Sequence, residues 1–118
     1  PGKVKIAADG KAAKSVVYVH AYSAALGLSL VTVDLLTGRQ HQIRAHCAHL
    51  GAPLAGDDDY AGPKALAKFR KALGATAGAR PLLHCWSMRL AHPQTEAPLT
   101  VEAPLPPDMR ELIAHAFP

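Results

Sequence analysis

The chain has 118 residues, 49% hydrophobic and 19% charged, a composition that fits one globular unit with a modest core and excludes a disordered polyelectrolyte. Its 13 Lys and Arg against 9 Asp and Glu give a net charge of +4, a mild pointer to an anionic partner such as RNA that any ordinary basic protein would share. No uncharged apolar run approaches a membrane span, and Pro1-Gly2-Lys3 opens a segment with neither a signal-peptide apolar region nor a starting Met, so the chain reads as processed or cut from a longer one.

Ser15 to Tyr22 is β-branched and aromatic, with Val17 and Val19 on one face and Tyr18, His20 and Tyr22 on the other. Leu28 to Leu36 alternates similarly, and Gly27 in the short connection predicts an antiparallel hairpin. A helix follows. Thr37-Gly38-Arg39-Gln40 fits a capping box, with Thr37 as N-cap and Gln40 reaching back. Ile43, Cys47 and Leu50 then form an apolar stripe, Gly51 is placed to be the C′ residue, and Pro53 prevents resumption. The reverse face carries His41, Ala45 and Ala48, small enough to admit another element or a ligand.

The loop from Gly51 to Gly62 contains Asp57, Asp58 and Asp59. Pro63 starts a second helix that stops near Gly74, with Leu66, Phe69 and Leu73 as its buried stripe and Lys64, Lys68 and Lys71 as a basic one. Gly74 to Gly78 is rich in small residues and reads as a mobile loop. Strands resume at Leu82 to Ala91 and Leu99 to Ala103 around a His92-Pro93 turn, and Asp108 to Phe117 predicts a terminal helix. The fold class is α+β, an antiparallel mixed sheet flanked by helices. Cys47 and Cys85 lie in apolar periodic segments and read as buried free thiols of a reducing compartment, cytoplasmic or organellar.

The segment from Thr37 to His46 crowds two guanidiniums, two imidazoles and two amides at a helix start, where unpaired N–H groups already favour an anion. Arg44 lies at the edge of the apolar stripe, where a half-buried guanidinium needs a fixed anionic partner. A neighbouring carboxylate of the chain would serve as well as a ligand, and the residues alone leave both open. His41, His46, Cys47, His49 and Cys85 raise the question of zinc, but no CxxC or HExxH pattern occurs and Cys47 belongs to the apolar stripe, so the reading is no metal.

Leu36-Thr37-Gly38-Arg39-Gln40-His41-Gln42-Ile43-Arg44-Ala45-His46, followed by Leu50-Gly51-Ala52-Pro53-Leu54-Ala55-Gly56-Asp57-Asp58-Asp59-Tyr60, resembles the signature of the RluA-type RNA pseudouridine synthases. Gly10 to Ser15 is similar to the family's strand entering the signature, Leu82-Leu83-His84-Cys85 to its LLHA strand, and His92-Pro93-Gln94-Thr95 and Glu102-Ala103-Pro104-Leu105-Pro106 to its last pieces. The acidic run before Tyr60 looks most like the branch acting on large-subunit ribosomal RNA. The family also carries a nucleophilic Asp in an HRLD-like motif and a base-stacking Tyr upstream of this signature. Neither motif occurs in residues 1–118, where no Asp follows Arg-Leu. The resemblance therefore implies the C-terminal part of a pseudouridine synthase catalytic domain, inactive alone and completed by the rest of that domain.

By the same resemblance Arg44 is the catalytic guanidinium that pairs with the nucleophilic Asp, keeping it ionised and fixing its rotamer. Arg39, His41 and Gln42 become candidates for orienting RNA phosphate or the nucleophile's loop; a helix-surface role is the plain alternative for Gln42. Leu83 is a candidate wall of the pocket that takes the flipped base, or an ordinary core leucine. Lys64 and Lys68, with Arg70 and Lys71, could follow RNA phosphates or simply face solvent. Asp57 and Tyr60 are read as fixing the loop after the helix. The isomerisation involves no redox change, so no cofactor is implied, and the partner is RNA. The alternative function is an inactive RNA-binding or ribosome-associated module that keeps the synthase fold.

Overall fold

The computed structural model describes residues 12–74 and 80–118. The element order is two strands, two helices, two strands and a helix, as the periodicities predict. The predicted loop from Gly74 to Gly78 lies, beyond Gly74 itself, outside the described residues.

Strands β1 (Ser15–Ser23) and β2 (Leu28–Leu35) form the first antiparallel hairpin. Gly27, at φ 64, closes its turn in the left-handed region that a glycine enters without a Cβ clash. Pairing runs from Ser15 opposite Leu35 to Val19 opposite Val31, then shifts so that Ala21 faces Leu30. This bulge leaves His20 without a ladder partner, and its Nε2 lies 2.8 Å from Thr32 Oγ1. It also overturns the simple alternation: Tyr22 pairs with Ser29, two residues from Val31, and so joins the face of Val17 and Val19.

Helix α1 spans Gln42–His49. Its start corrects the capping-box expectation. The N-cap is His41, at φ 50 and ψ 27, with no side-chain cap. Thr37 is engaged elsewhere: its hydroxyl accepts from Lys14 N at 2.8 Å and donates to Gln42 Oε1 at 2.7 Å. The helix end follows expectation. Gly51 N donates to Ala48 O at 3.0 Å and Ala52 N to Cys47 O at 2.9 Å, the paired bonds of a Schellman motif, with Gly51 at φ 80. The apolar stripe does not extend to Leu50, which is 75% exposed because it forms the C-cap where the chain reverses. The buried positions of α1 are instead Gln42 and Ala45.

Helix α2 (Pro63–Leu73) has Pro63 in its first turn and buries Phe69, while Lys64, Lys68 and Lys71 are exposed. It approaches the first hairpin at the turn, where a Cβ on Gly27 would meet Lys68 Nζ at 3.5 Å.

The second antiparallel hairpin pairs β3 (Ser87–Ala91) with β4 (Pro98–Glu102). The strand predicted from Leu82 is therefore shorter. Leu82 N donates to Ala55 O at 2.9 Å, so this run ties down the acidic loop instead of joining a ladder. Among the described residues the strands form two separate two-stranded sheets, not one. The turn is held by His92 Nδ1, which accepts from Gln94 N at 3.1 Å and Thr95 N at 3.3 Å. Helix α3 (Pro107–Ala116) is anchored by a two-point fork from Arg80 Nε and Nη2 to the Asp108 carboxylate, at 2.9 and 3.0 Å. That guanidinium holds the Asp108 carboxyl below its usual range.

Ala45, Phe69 and Ala116 are the buried apolar residues among those described. Met88, Leu90, Leu99 and Val101 share one face of the second hairpin and are exposed, as are Val17, Val19, Tyr22 and Leu35 on the first. Amphipathic hairpins of this kind stabilise a fold only when that face is covered.

Candidate functional site

The chemistry converges where the first turn of α1 meets the acidic loop. Asp57 is fully buried. Arg44 Nε donates to its Oδ2 at 2.9 Å and Nη2 to its Oδ1 at 2.7 Å, a two-point fork that a lysine could not reproduce. Nη2 also donates to Asp59 Oδ2 at 2.8 Å. The Arg44 guanidinium carbon lies 5.1 Å from the centre of the Tyr60 ring, within cation–π range.

His41 completes the enclosure. Its Nδ1 lies 2.8 Å from Tyr60 Oη, the two rings meet edge to face with centroids 5.7 Å apart, and its Nε2 lies 3.4 Å from Arg44 Nη1. A guanidinium only donates, so a hydrogen bond between Arg44 and His41 requires the tautomer in which Nε2 accepts and Nδ1 donates to Tyr60 Oη. The left-handed backbone at His41 turns its ring onto this cluster instead of along the helix.

The charges reinforce one another. The Asp57 hydrogen bonds are the largest influence on Arg44 and raise its pKa against the opposing effect of burial; Asp59 adds to the rise. For Asp57, burial pushes the carboxyl up, but the bonds and charge of Arg44 outweigh it, with help from the Asp59 and Tyr60 backbone, and hold it below the usual carboxylate range. Asp57, Asp58 and Asp59 bring carboxylate oxygens within 4.8 Å of one another, and the cation that two of them bind is Arg44.

Gln42 is not a surface residue. Its Nε2 donates to Lys14 O at 2.9 Å and Ser15 Oγ at 2.7 Å, and its Oε1 accepts from Thr37 Oγ1 at 2.7 Å and Arg39 N at 3.0 Å. Its amide protons thereby fasten α1 to the start of β1, and its oxygen holds the Thr37–Arg39 connection that leads into the helix. Arg39 is exposed and donates from Nε to Ala12 O at 3.0 Å. Leu83 is 38% exposed, next to the Leu82–Ala55 bond that joins its segment to the acidic loop. Lys64 and Lys68 are exposed on α2.

The residue pattern alone leaves two kinds of partner open for Arg44, a carboxylate of the chain or a ligand. The described residues contain the neighbouring carboxylate, and the signal for it was the acidic run in the loop after α1. The thiols differ from expectation: Cys85 is exposed, like the strand β3 that follows it, and Cys47 is only half-buried, with its thiol pKa pushed up by burial.

Residues 2–49 match the family described as RNA pseudouridylate synthase. An uncharacterised RNA pseudouridine synthase of Bacillus subtilis, YhcT, is 38% identical over 117 residues, covering 99% of this chain and 35% of its own length. The ribosomal large subunit pseudouridine synthase C of Pasteurella multocida is 41% identical over 85 residues, 72% of this chain and 25% of that protein. The ribosomal large subunit pseudouridine synthase D of Neisseria meningitidis is 35% identical over 101 residues, 85% of this chain and 27% of that protein. The chain thus spans about a third or less of the length of these curated relatives.

Proposed function

Because the chain belongs to the RNA pseudouridylate synthase family, we propose that it is the C-terminal part of a catalytic domain that isomerises uridine to pseudouridine in large-subunit ribosomal RNA. The observation that carries this reading is the Arg44 guanidinium, gripped along one edge by a buried carboxylate and backed by an aromatic ring. A cation fixed so firmly can hold a second carboxylate ionised and in one rotamer.

The reaction needs such a carboxylate. The C1′–N1 bond of uridine breaks, the uracil turns, C1′ joins C5, the proton leaves C5, and N1 gains one. An ionised carboxylate at the sugar or base supports this exchange. Arg44 orients that group, Asp57 orients Arg44, and His41 and Tyr60 limit where the guanidinium can move. Leu83 contributes to the wall against which the flipped base rests. Arg39, Lys64 and Lys68 are exposed cations suited to RNA phosphates. The reaction is redox-neutral and the reading includes no cofactor and no metal.

A second reading is favoured by the two carboxylates already on Arg44: an RNA-binding module in which that ion cluster is structural and nothing is isomerised. Release of tritium from C5-labelled uridine in ribosomal RNA separates the two. The complete polypeptide containing this chain should release tritium, and the 118-residue chain alone should not. No release from the complete polypeptide supports the binding module. Release by the chain alone, abolished by changing one of its own aspartates, contradicts the need for an outside carboxylate.

A further inference from the structure

The two carboxylates on Arg44 are not equivalent. Asp57 is fully buried and engages the Nε–Nη2 edge with both oxygens, while Asp59 is 56% exposed on its side chain and meets Nη2 with Oδ2. A solvent-exposed single-point ion pair is weak and readily exchanged, whereas a buried two-point pair is not. The guanidinium therefore has one permanent edge and one exchangeable edge.

We infer that Asp59 is a placeholder on the exchangeable edge of Arg44, one that the reacting carboxylate must displace before uridine is isomerised. This rests on the proposed role of Arg44. The permanent pair with Asp57 keeps the guanidinium oriented throughout the exchange, with the Tyr60 ring 5.1 Å from its carbon and His41 Nε2 3.4 Å from Nη1. An incoming carboxylate gains both Nη1 and Nη2 as donors, a two-point seat where Asp59 has one. Asp59 occupies the outer proton of Nη2 when that seat is otherwise empty. One arginine thus serves a structural carboxylate on one edge and a reacting one on the other.

Competition predicts a sign. Removing Asp59 leaves Arg44 more available to the reacting carboxylate, favours its ionised form and lowers its pKa. The acid limb of the rate–pH profile should move to lower pH. Among the described residues the groups facing Arg44 are Asp57, Asp59, His41 and Tyr60, and of these only Asp59 is altered alongside Arg44 itself in the test.

The experiment is single-turnover tritium release by the complete polypeptide at saturating RNA, across the acid range, for wild type, Asp59→Ala, Asp59→Asn and Arg44→Lys. The expected result is a rate on the acid limb about threefold or more above wild type in Asp59→Ala, a smaller rise in Asp59→Asn, whose amide oxygen can still accept from Nη2, and a fall in Arg44→Lys. An Asp59→Ala profile that is unchanged or slower, with Arg44→Lys impaired, overturns the placeholder and leaves the role of Arg44 standing. An unimpaired Arg44→Lys overturns both.

Discussion

Replacing Asp57 by Asn tests the centre of the ion cluster. The side-chain volume is nearly conserved, but one acceptor oxygen becomes an NH2 donor facing either Arg44 Nε or Nη2, both donors themselves. Two charge-assisted bonds at roughly 1.5–3 kcal/mol each set a ceiling of about 3–6 kcal/mol. Asp59 remains on Nη2, and the Arg44 side chain keeps 17% exposure through which water can compensate, so the loss should fall below that ceiling. We expect about 2–4 kcal/mol, in keeping with the cost of breaking a largely buried pair from one side. In urea unfolding of the complete protein this moves the midpoint down by roughly 1 M or more. The pH dependence has a definite sign. Burial raises the Asp57 carboxyl, but Arg44 lowers it further, so its net folded pKa lies below the unfolded value. Its stabilisation is therefore complete above the ordinary carboxylate pKa of about 4 and is lost as pH falls through the folded value. The gap between wild type and Asp57→Asn should be widest at neutral pH and close in acid. A loss under about 1 kcal/mol at pH 7, or a gap that widens in acid, would refute the reasoning.

Gln42→Ala removes four hydrogen bonds, two to the start of β1 and two to the Thr37–Arg39 connection, and should cost about 2–3 kcal/mol in the same unfolding assay, since buried partners are left unsatisfied; a neutral effect contradicts its positional role. Cys85 should react with a maleimide well before Cys47 under native conditions, because Cys85 is exposed while burial raises the Cys47 thiol; equal rates by mass spectrometry contradict the assignment. Lys64→Ala should weaken RNA binding at low salt and make the dependence of log K on log salt shallower by about 0.7–0.9, the contribution of one phosphate contact; an unchanged slope places Lys64 off the RNA.

Much of the fold was legible because it depends on local chemistry. The apolar alternation in Ser15 to Tyr22 and Leu28 to Leu36 specified the first hairpin, and Gly51 and Pro63 marked the end of one helix and the start of the next. What was hidden was decided by distant partners. Thr37 has the composition of an N-cap, yet Lys14 and Gln42 claim its hydroxyl. The bulge at His20 follows from cross-strand register, which alternation along one strand does not contain, and it changed the face of Tyr22. Leu82 to Trp86 has strand composition but spends the Leu82 N–H on Ala55. In the site, the Thr37 to His46 cluster was visible as an unusual density of donors, and the need of Arg44 for an anion followed from its half-buried position. Which anion the chain itself supplies depends on how the acidic loop folds back across α1, and three consecutive aspartates do not reveal which one is buried.

The pH dependence of the single-turnover isomerisation rate, in wild type and Arg44→Ala at saturating RNA, is the most direct test of Arg44 as the holder of the reacting carboxylate. Loss of the guanidinium should raise that carboxylate's pKa, shift the acid limb to higher pH and lower the plateau by roughly ten- to a hundredfold, the value of a charge-assisted two-point contact. An Arg44→Ala enzyme with an unshifted acid limb and a full saturated rate, weakened only in RNA affinity, would contradict the account.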